Sequence, residues 1–147
     1  DDFSFTAQQR LSDGTVKKIE LVNIPNLDWR SIPELTGLGS PGTYQTRFHL
    51  ENLQPGERYF LCFERVCDRA DIILNGTSLP PLLVMPWRCE VSEWIKAGDN
   101  ELSIKVTPTL RNALVSYGNK GISQYKQYKK SPTMPAGLIG VVRLCKL

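Results

Sequence analysis

Residues 72–106 read IILNGTSLPPLLVMPWRCEVSEWIKAGDNELSIKV, and this stretch decides the fold. Apolar and polar residues alternate at both of its ends, which is typical of β-strands with one buried face. Asn75-Gly76 favours a tight hairpin turn, and Gly98-Asp99-Asn100 predicts a second turn before the second strand. The stretch therefore predicts an antiparallel sheet whose inward side chains are Ile72, Leu74, Leu102, Ile104 and Val106.

The same alternation recurs on both sides of this stretch. Residues 44–50 predict a strand with His49 on its polar face, and residues 59–66 predict another. Residues 19–24 offer a strand that Pro25 ends. The run Gly137–Leu144 is apolar at nearly every position, which predicts a strand in the middle of a sheet, buried on both faces. Together these strands predict an all-β sandwich of two antiparallel sheets.

Between the strands we expect little regular structure. Residues 1–42 are the least regular part of the chain. Residues 91–96 predict one short helical turn, with Ser92 as its cap, Gly98 as its stop and Trp94 pointing into the sandwich. The connection from Leu110 to Ala136 has no amphipathic period, so we expect an excursion over the surface. Long ordered loops on rigid sheets are common binding sites.

Composition limits the class of protein. With 147 residues, 41% of them hydrophobic, the chain fits a single domain over residues 1–147. A net charge of +3 argues against a nucleic-acid partner, and the run Tyr125–Lys130 fits a solvated loop better than a platform for a single strand. The longest apolar run, Leu79–Val84, contains two prolines and is too short to span a membrane. The start at Asp1, without a leader pattern, predicts a longer parent protein.

The sequence predicts no metal or cofactor. The four cysteines, which contain no Cys-x-x-Cys pair, and the lone His49 lack the spacing of a zinc site. A structural calcium held by turn oxygens of Asp99 and Asn100 is an alternative without a recognisable ligand loop. We expect free, packed thiols, with one disulfide as the alternative in an exported protein. The cysteines are Cys62, Cys67, Cys89 and Cys145.

Six segments carry a resemblance to a known family. In order and spacing, over residues 27–147, they resemble the sugar-binding, galactose-binding-like jelly-roll domain of glycoside hydrolase family 2. The last segment is similar to the closing strand of the accessory β-sandwich of bacterial α-L-rhamnosidase-like enzymes. Two departures are Asn112-Ala113, where relatives carry Asn-Arg, and Val141, which replaces a proline. The segments are Gly42–Phe48, Val66–Ala70, Ile72–Gly76, Pro86–Arg88, Gly98–Leu102 and Ala136–Leu144.

The resemblance implies a role outside the catalytic step. In such enzymes the two catalytic carboxylates lie in a separate domain, commonly a (β/α)₈ barrel that cannot fit into this chain. The implied function is that of a non-catalytic carbohydrate-binding or structural module of a bacterial, extracytoplasmic glycoside hydrolase. Its partners would be a glycan or oligosaccharide and the catalytic domain of the same polypeptide. The alternative is a stand-alone adhesion or protein-interaction sandwich without sugar affinity.

Sugars bind against flat aromatic faces, with amide and guanidinium groups on their hydroxyls. The aromatic and polar residues of the loops are therefore the candidate carbohydrate contacts, with Asn119 as a further polar neighbour. Trp87 favours burial, and Asn75 would contact sugar only if its turn lies at the ligand end. The candidates are Trp29, Arg88, Arg111, Asn112, Tyr117, Tyr125 and Tyr128.

Overall fold

A computed structural model describes residues 3–11 and 13–147 of the chain. These residues form nine β-strands, one α-helix and three short 3₁₀ helices. The 3₁₀ helices are Trp29–Ser31, Pro33–Leu35 and Ser123–Tyr128. The strands and the α-helix are β1 (Ser4–Arg10), β2 (Val16–Leu21), β3 (Gly42–Leu50), β4 (Tyr59–Cys67), β5 (Arg69–Leu74), β6 (Thr77–Ser78), β7 (Arg88–Glu90), β8 (Gly98–Thr107), α1 (Arg111–Asn119) and β9 (Gly137–Lys146).

The strands form two antiparallel sheets that pack face to face. One sheet has the order β2-β1-β3-β8-β5-β6, and the other has the order β7-β4-β9. All pairs of neighbouring strands are antiparallel. The predicted all-β sandwich of two antiparallel sheets is confirmed.

The core lies between the sheets and follows the predicted alternation. In the larger sheet, Tyr44 of β3, Leu74 of β5 and Ile104 of β8 are all 0% exposed. In the smaller sheet, Leu61 of β4 and Leu138 of β9 face them and are also buried. A two-residue period with one buried face is what allows the two sheets to share one apolar layer.

The predicted Asn75-Gly76 turn is present, whereas the second predicted turn is misplaced. Asn75 and Gly76 have φ values of 51° and 84° and join β5 to β6, as a tight hairpin turn requires. Gly98-Asp99-Asn100 instead forms the start of β8. The turn lies just before it, where the backbone N–H groups of Trp94 and Ile95 both donate to the carbonyl of Val91.

Ser92 was predicted to cap that turn, but its hydroxyl has other partners. Its hydroxyl accepts a hydrogen bond from the backbone N–H of Tyr59 at 2.9 Å and donates to Glu90 at 3.1 Å. The hydroxyl thus ties the turn to the smaller sheet. Trp94 is half-buried and packs against the core, so only part of it points inward.

One strand prediction is wrong, and one strand was missed. β9 pairs only with β4 and lies at the edge of its sheet, not in the middle. Its apolar run combines inward residues such as Val142 with outward ones such as Val141, which is 48% exposed. β1 was not predicted, because its alternation of apolar residues ends at Ala7 and the polar residues Gln8, Gln9 and Arg10 follow.

The helix α1 was also missed within the predicted surface excursion. Its buried face consists of Asn112, Ala113, Val115 and Gly118. Two of these four residues are not hydrophobic, so the helical period of apolar residues is absent from the sequence. No helix in the described part of the chain is long and apolar enough to cross a membrane.

Candidate functional site

One end of the sandwich gathers most of the predicted sugar contacts. We call this end, made of α1 and the 3₁₀ helix Ser123–Tyr128, the helical end. The rings of Tyr117 and Tyr125 lie 5.1 Å apart between centroids and are tilted by 39°. Gly118 allows this approach, because a Cβ there would collide with the backbone of Tyr125 and Tyr128. The glycine therefore brings the three tyrosines to one place.

The tyrosines of the helical end are only partly available to a ligand. Tyr117, Tyr125 and Tyr128 are all half-buried. The hydroxyl of Tyr117 donates to the carbonyl of Arg10 at 2.8 Å, which ties the helix to the end of β1. Because Tyr117 and Tyr125 pack on each other, part of each ring is already occupied.

Arg111 and Asn112 bind their own chain. The Asn112 side chain donates to the carbonyl of Met134 at 2.7 Å and accepts from its N–H at 2.8 Å. Arg111 Nε donates to the carbonyl of Pro132 at 3.1 Å. Asn112 is 7% exposed, so the expectation that it is a surface contact is wrong. Both residues hold the segment that leads back into β9.

Trp29 is a core residue and not an exposed loop aromatic. It is 1% exposed, and its Nε1–H donates to the Tyr44 hydroxyl at 2.7 Å. The preceding Asp28 accepts hydrogen bonds from the backbone N–H groups of Arg30 and Ala136, which fixes the 3₁₀ helix with the indole pointing inward. Burial raises the pKa of the Tyr44 hydroxyl. In this position Trp29 cannot stack on a sugar.

A groove of about 370 Å³, with both polar and apolar lining residues, lies beside the helical end. Asn119 and Lys120 line one wall, and Arg30 and Thr133 line another. The Asn119 side chain accepts from the backbone N–H of Lys130 at 2.7 Å, and Arg30 forms an ion pair with Asp28 at 2.7 Å. The groove thus offers an amide, an ammonium and a guanidinium group. The amide of Asn119 and the guanidinium of Arg30 already bind other groups of the chain.

Arg88 lies apart from the other candidates, on β7 in the smaller sheet. Its guanidinium carbon lies 5.5 Å from the centre of the Phe60 ring. Arg88 also lines a second groove, of about 420 Å³, together with Trp94 and Glu93. We call this the β7 groove. The predicted candidates therefore do not form one site. Trp94 and Glu93 were not among the predicted contacts, although the sequence shows a tryptophan in a polar turn.

Several carboxyl groups are held in their ionised form by hydrogen-bond donors. The hydrogen bond from Arg58, followed by that from Ser92, lowers the pKa of Glu90. The hydrogen bond from His49, at 2.8 Å, lowers the pKa of Asp99. In residues 3–11 and 13–147, no group of three or more His, Cys, Asp or Glu residues could hold a metal ion.

The four cysteines carry free thiols. Cys67 is buried, whereas Cys62, Cys89 and Cys145 are half-buried. Cys62 on β4 and Cys145 on β9 are hydrogen-bonded. All three half-buried thiols belong to the smaller sheet.

Solved structures of glycoside hydrolases contain similar domains. A rhamnosidase from Novosphingobium sp. PP1Y is 26% identical with a TM-score of 0.79, and the match covers 99% of this chain and 14% of that chain. A β-glucuronidase from Ruminococcus gnavus has a TM-score of 0.56 at 13% identity, over 74% of this chain and 20% of that one. A β-glucuronidase from an uncultured Clostridium sp. has a TM-score of 0.52 at 22% identity, over 72% and 21%.

This chain therefore spans a small part of each of these proteins. No curated protein matches it. A family model described as the galactose-binding domain-like domain of glycosyl hydrolase 2 matches residues 39–137. Since this match spans more than half of the chain and agrees with the two antiparallel sheets, the chain belongs to the galactose-binding-domain-like family of glycosyl hydrolase 2.

Proposed function

We propose that the chain is a non-catalytic accessory module of a glycoside hydrolase and that it supports the parent's catalytic domain. Family membership supports a parent of this class. The similar domain of the Novosphingobium rhamnosidase is a small part of a much longer chain, which supports a multidomain parent of bacterial origin. The extracytoplasmic location stays a prediction.

The carboxyl groups with a resolved pKa shift are all held in their ionised form. Glycosidases use two carboxyl groups, and the general acid among them has a raised pKa. In the described part of the chain, every carboxyl group with a resolved shift has a lowered pKa. These four groups are Asp13, Asp28, Glu90 and Asp99.

The proposed supporting role is based on a short, exposed apolar loop. Leu83, Val84 and Met85 are consecutive and 55%, 73% and 75% exposed. We call these three residues the apolar loop. Adjacent exposed apolar side chains favour burial against another protein surface, because their removal from water is favourable. The partner that we propose is the catalytic domain of the same polypeptide.

The test compares the isolated chain with the full-length parent. Replacing Leu83, Val84 and Met85 with serine should leave the stability of the isolated chain within about 0.5 kcal/mol, because the side chains are exposed. In the parent, the same change should separate one thermal unfolding transition into two. Val22→Ser is the matched control, because Val22 is 83% exposed and lies outside the loop.

Unchanged unfolding of the triple variant in the parent would contradict the supporting role. If sedimentation of the isolated chain instead showed self-association that the triple substitution abolishes, the stand-alone interaction module would replace our proposal.

Glycan binding is the second candidate function. The observation in its favour is the groove lined by Asn119 and Lys120, next to the half-buried tyrosines at the helical end. If this end binds sugar, Tyr125→Ala should abolish the heat of binding in calorimetric titrations with oligosaccharides, and Tyr59→Phe should not. The absence of binding to plant, host and bacterial glycans would remove this candidate.

A further inference from the structure

We propose that the β7 groove, and not the helical end, binds a neutral pyranose. This inference keeps the second candidate function, glycan binding, but assigns it to a different groove and names the class of ligand. The groove has a volume of about 420 Å³, which lies in the usual range for small-ligand sites. Its lining residues are Pro80, Pro81, Leu82, Arg88, Cys89, Glu90, Glu93 and Trp94.

Trp94 supplies the aromatic face of this groove. It is half-buried and packs against the core, so it reaches both the interior and the groove. Its carbonyl accepts a hydrogen bond from the Asn75 side chain at 2.9 Å, and its N–H donates to Val91 at 3.0 Å. A ring that is already packed against the core loses little conformational entropy when a sugar packs on it.

Two charged side chains in the groove are free to bind hydroxyls. In the described part of the chain, neither Arg88 nor Glu93 has an ion-pair partner or a hydrogen-bonded side chain, although Arg88 rests on Phe60. Glu90 is already bound by Arg58 and Ser92. A guanidinium donates hydrogen bonds and a carboxylate accepts them, and their charges balance. The balance favours a neutral sugar over a uronate.

Pro80, Pro81 and Leu82 form an apolar wall of the groove. Pro80 and Pro81 have fixed φ angles and present ring C–H groups. Leu82 exchanges two backbone hydrogen bonds with Ala70 of β5, at 2.8 Å and 3.0 Å. The wall is therefore held to the larger sheet, while Arg88 belongs to the smaller one. The groove thus takes its lining from segments that belong to or are held by both sheets.

The helical end fits a sugar less well. Tyr117 and Tyr125 pack on each other, and Arg111 and Asn112 bind the chain's own carbonyl groups. By contrast, Trp94, Arg88 and Glu93 all line the β7 groove, and in the described part of the chain neither charged group has an ion-pair partner.

Calorimetric titration of the chain with D-galactose, L-rhamnose and D-glucuronate tests the inference. We expect saturable, millimolar binding of a neutral sugar and weaker binding of glucuronate. Arg88→Gln or Glu93→Gln should each lower the affinity for the neutral sugar about tenfold or more. Trp94→Phe should weaken binding as well, and its circular dichroism spectrum checks that it folds. Glu51→Gln, at an exposed position that lines neither groove, is the control that should bind as the unmodified chain does. Tyr125→Ala reports on the helical end.

Two results would overturn the inference, and they differ in meaning. Binding that Tyr125→Ala abolishes and the two charge variants retain would place the sugar at the helical end. No saturable binding of any of the three sugars up to about 100 mM would reject glycan binding altogether, because this limit corresponds to a negligible affinity. Neither result affects the proposed supporting role, which depends on the apolar loop.

Discussion

The side chains of Asn75 and Asn100 are hydrogen-bonded to each other, with Asn75 Nδ2 donating to Asn100 Oδ1 at 2.9 Å. Asn100 is 0% exposed. It also accepts from the N–H of Lys96 and donates to the carbonyls of Lys96 and Gly98. All four hydrogen-bonding positions of the amide are used. This one residue therefore joins the hairpin turn after β5 to the turn before β8.

Asn100→Ala should destabilise the chain by about 2–4 kcal/mol, because it removes a buried side chain and leaves three partly buried backbone groups and the Asn75 amide without their partners. Asn52→Ala is the control, since Asn52 is exposed, and it should stay within about 0.5 kcal/mol. Urea denaturation followed by circular dichroism measures both. A loss below about 1 kcal/mol for Asn100→Ala would contradict the role of this amide.

Gly137→Ala should be far more destabilising than Gly56→Ala. Both glycines have positive φ values, 104° and 80°, so each substitution costs about 1–2 kcal/mol in backbone conformation. At Gly137 a Cβ would also collide with the Trp29 indole ring, whereas nothing lies near Gly56. Thermal unfolding of the two variants measures the difference, and equal melting temperatures would show that Trp29 does not pack against Gly137.

Asp28 should make the chain less stable in acid. Burial raises the pKa of Asp28, but the hydrogen bonds from Arg30 and Ala136 outweigh it, so the net shift is downward. A lowered folded-state pKa gives stability that is present above the unfolded value of about 3.9 and is lost as the pH falls through the folded value. Asp28→Asn should therefore be destabilising at about pH 6 and less destabilising at about pH 2.5.

Urea denaturation at the two pH values checks this prediction for Asp28. Glu51→Gln, at an exposed position, is the control and should change little at either pH. A stability difference for Asp28→Asn that is the same at both pH values would show that the charge of Asp28 contributes nothing.

Cys62 and Cys89 should react slowly with alkylating agents in the folded chain. Burial raises the pKa of each thiol to about 11, and for Cys62 the hydrogen bond with Cys145 adds to the effect. At pH 8 about 0.1% of such a thiol is the reactive thiolate. Labelling with iodoacetamide, followed by peptide mass spectrometry, should show rates that still rise above pH 9. Labelling at pH 8 as fast as in urea would contradict this.

The sequence predicted the strands whose alternation reports a single buried face. Tyr44, Leu74 and Ile104 are buried, as the two-residue period of apolar side chains predicts, because a sandwich buries alternate residues of each strand. The order of the strands within a sheet could not be predicted from this alternation. The apolar run of β9 looked central, although β9 has β4 as its only neighbour, because hydrophobicity reports burial and not the number of paired strands.

The candidate site was harder to predict, because side-chain direction depends on tertiary contacts. Trp29 lies in a loop by sequence, but the cap formed by Asp28 turns it into the core. Asn112 looked like a surface amide, but it binds Met134, a residue 22 positions along the chain. Trp94 was expected to point inward, and only its half-burial next to Arg88 shows that it also lines a groove.

Amide hydrogen exchange of the apolar loop, in the isolated chain and in the full-length parent, tests the central claim most directly. If the module supports the catalytic domain, the segment around Leu83, Val84 and Met85 should exchange more slowly in the parent, while the helical end exchanges at the same rate in both. Equal exchange of the loop in the two proteins would contradict the account.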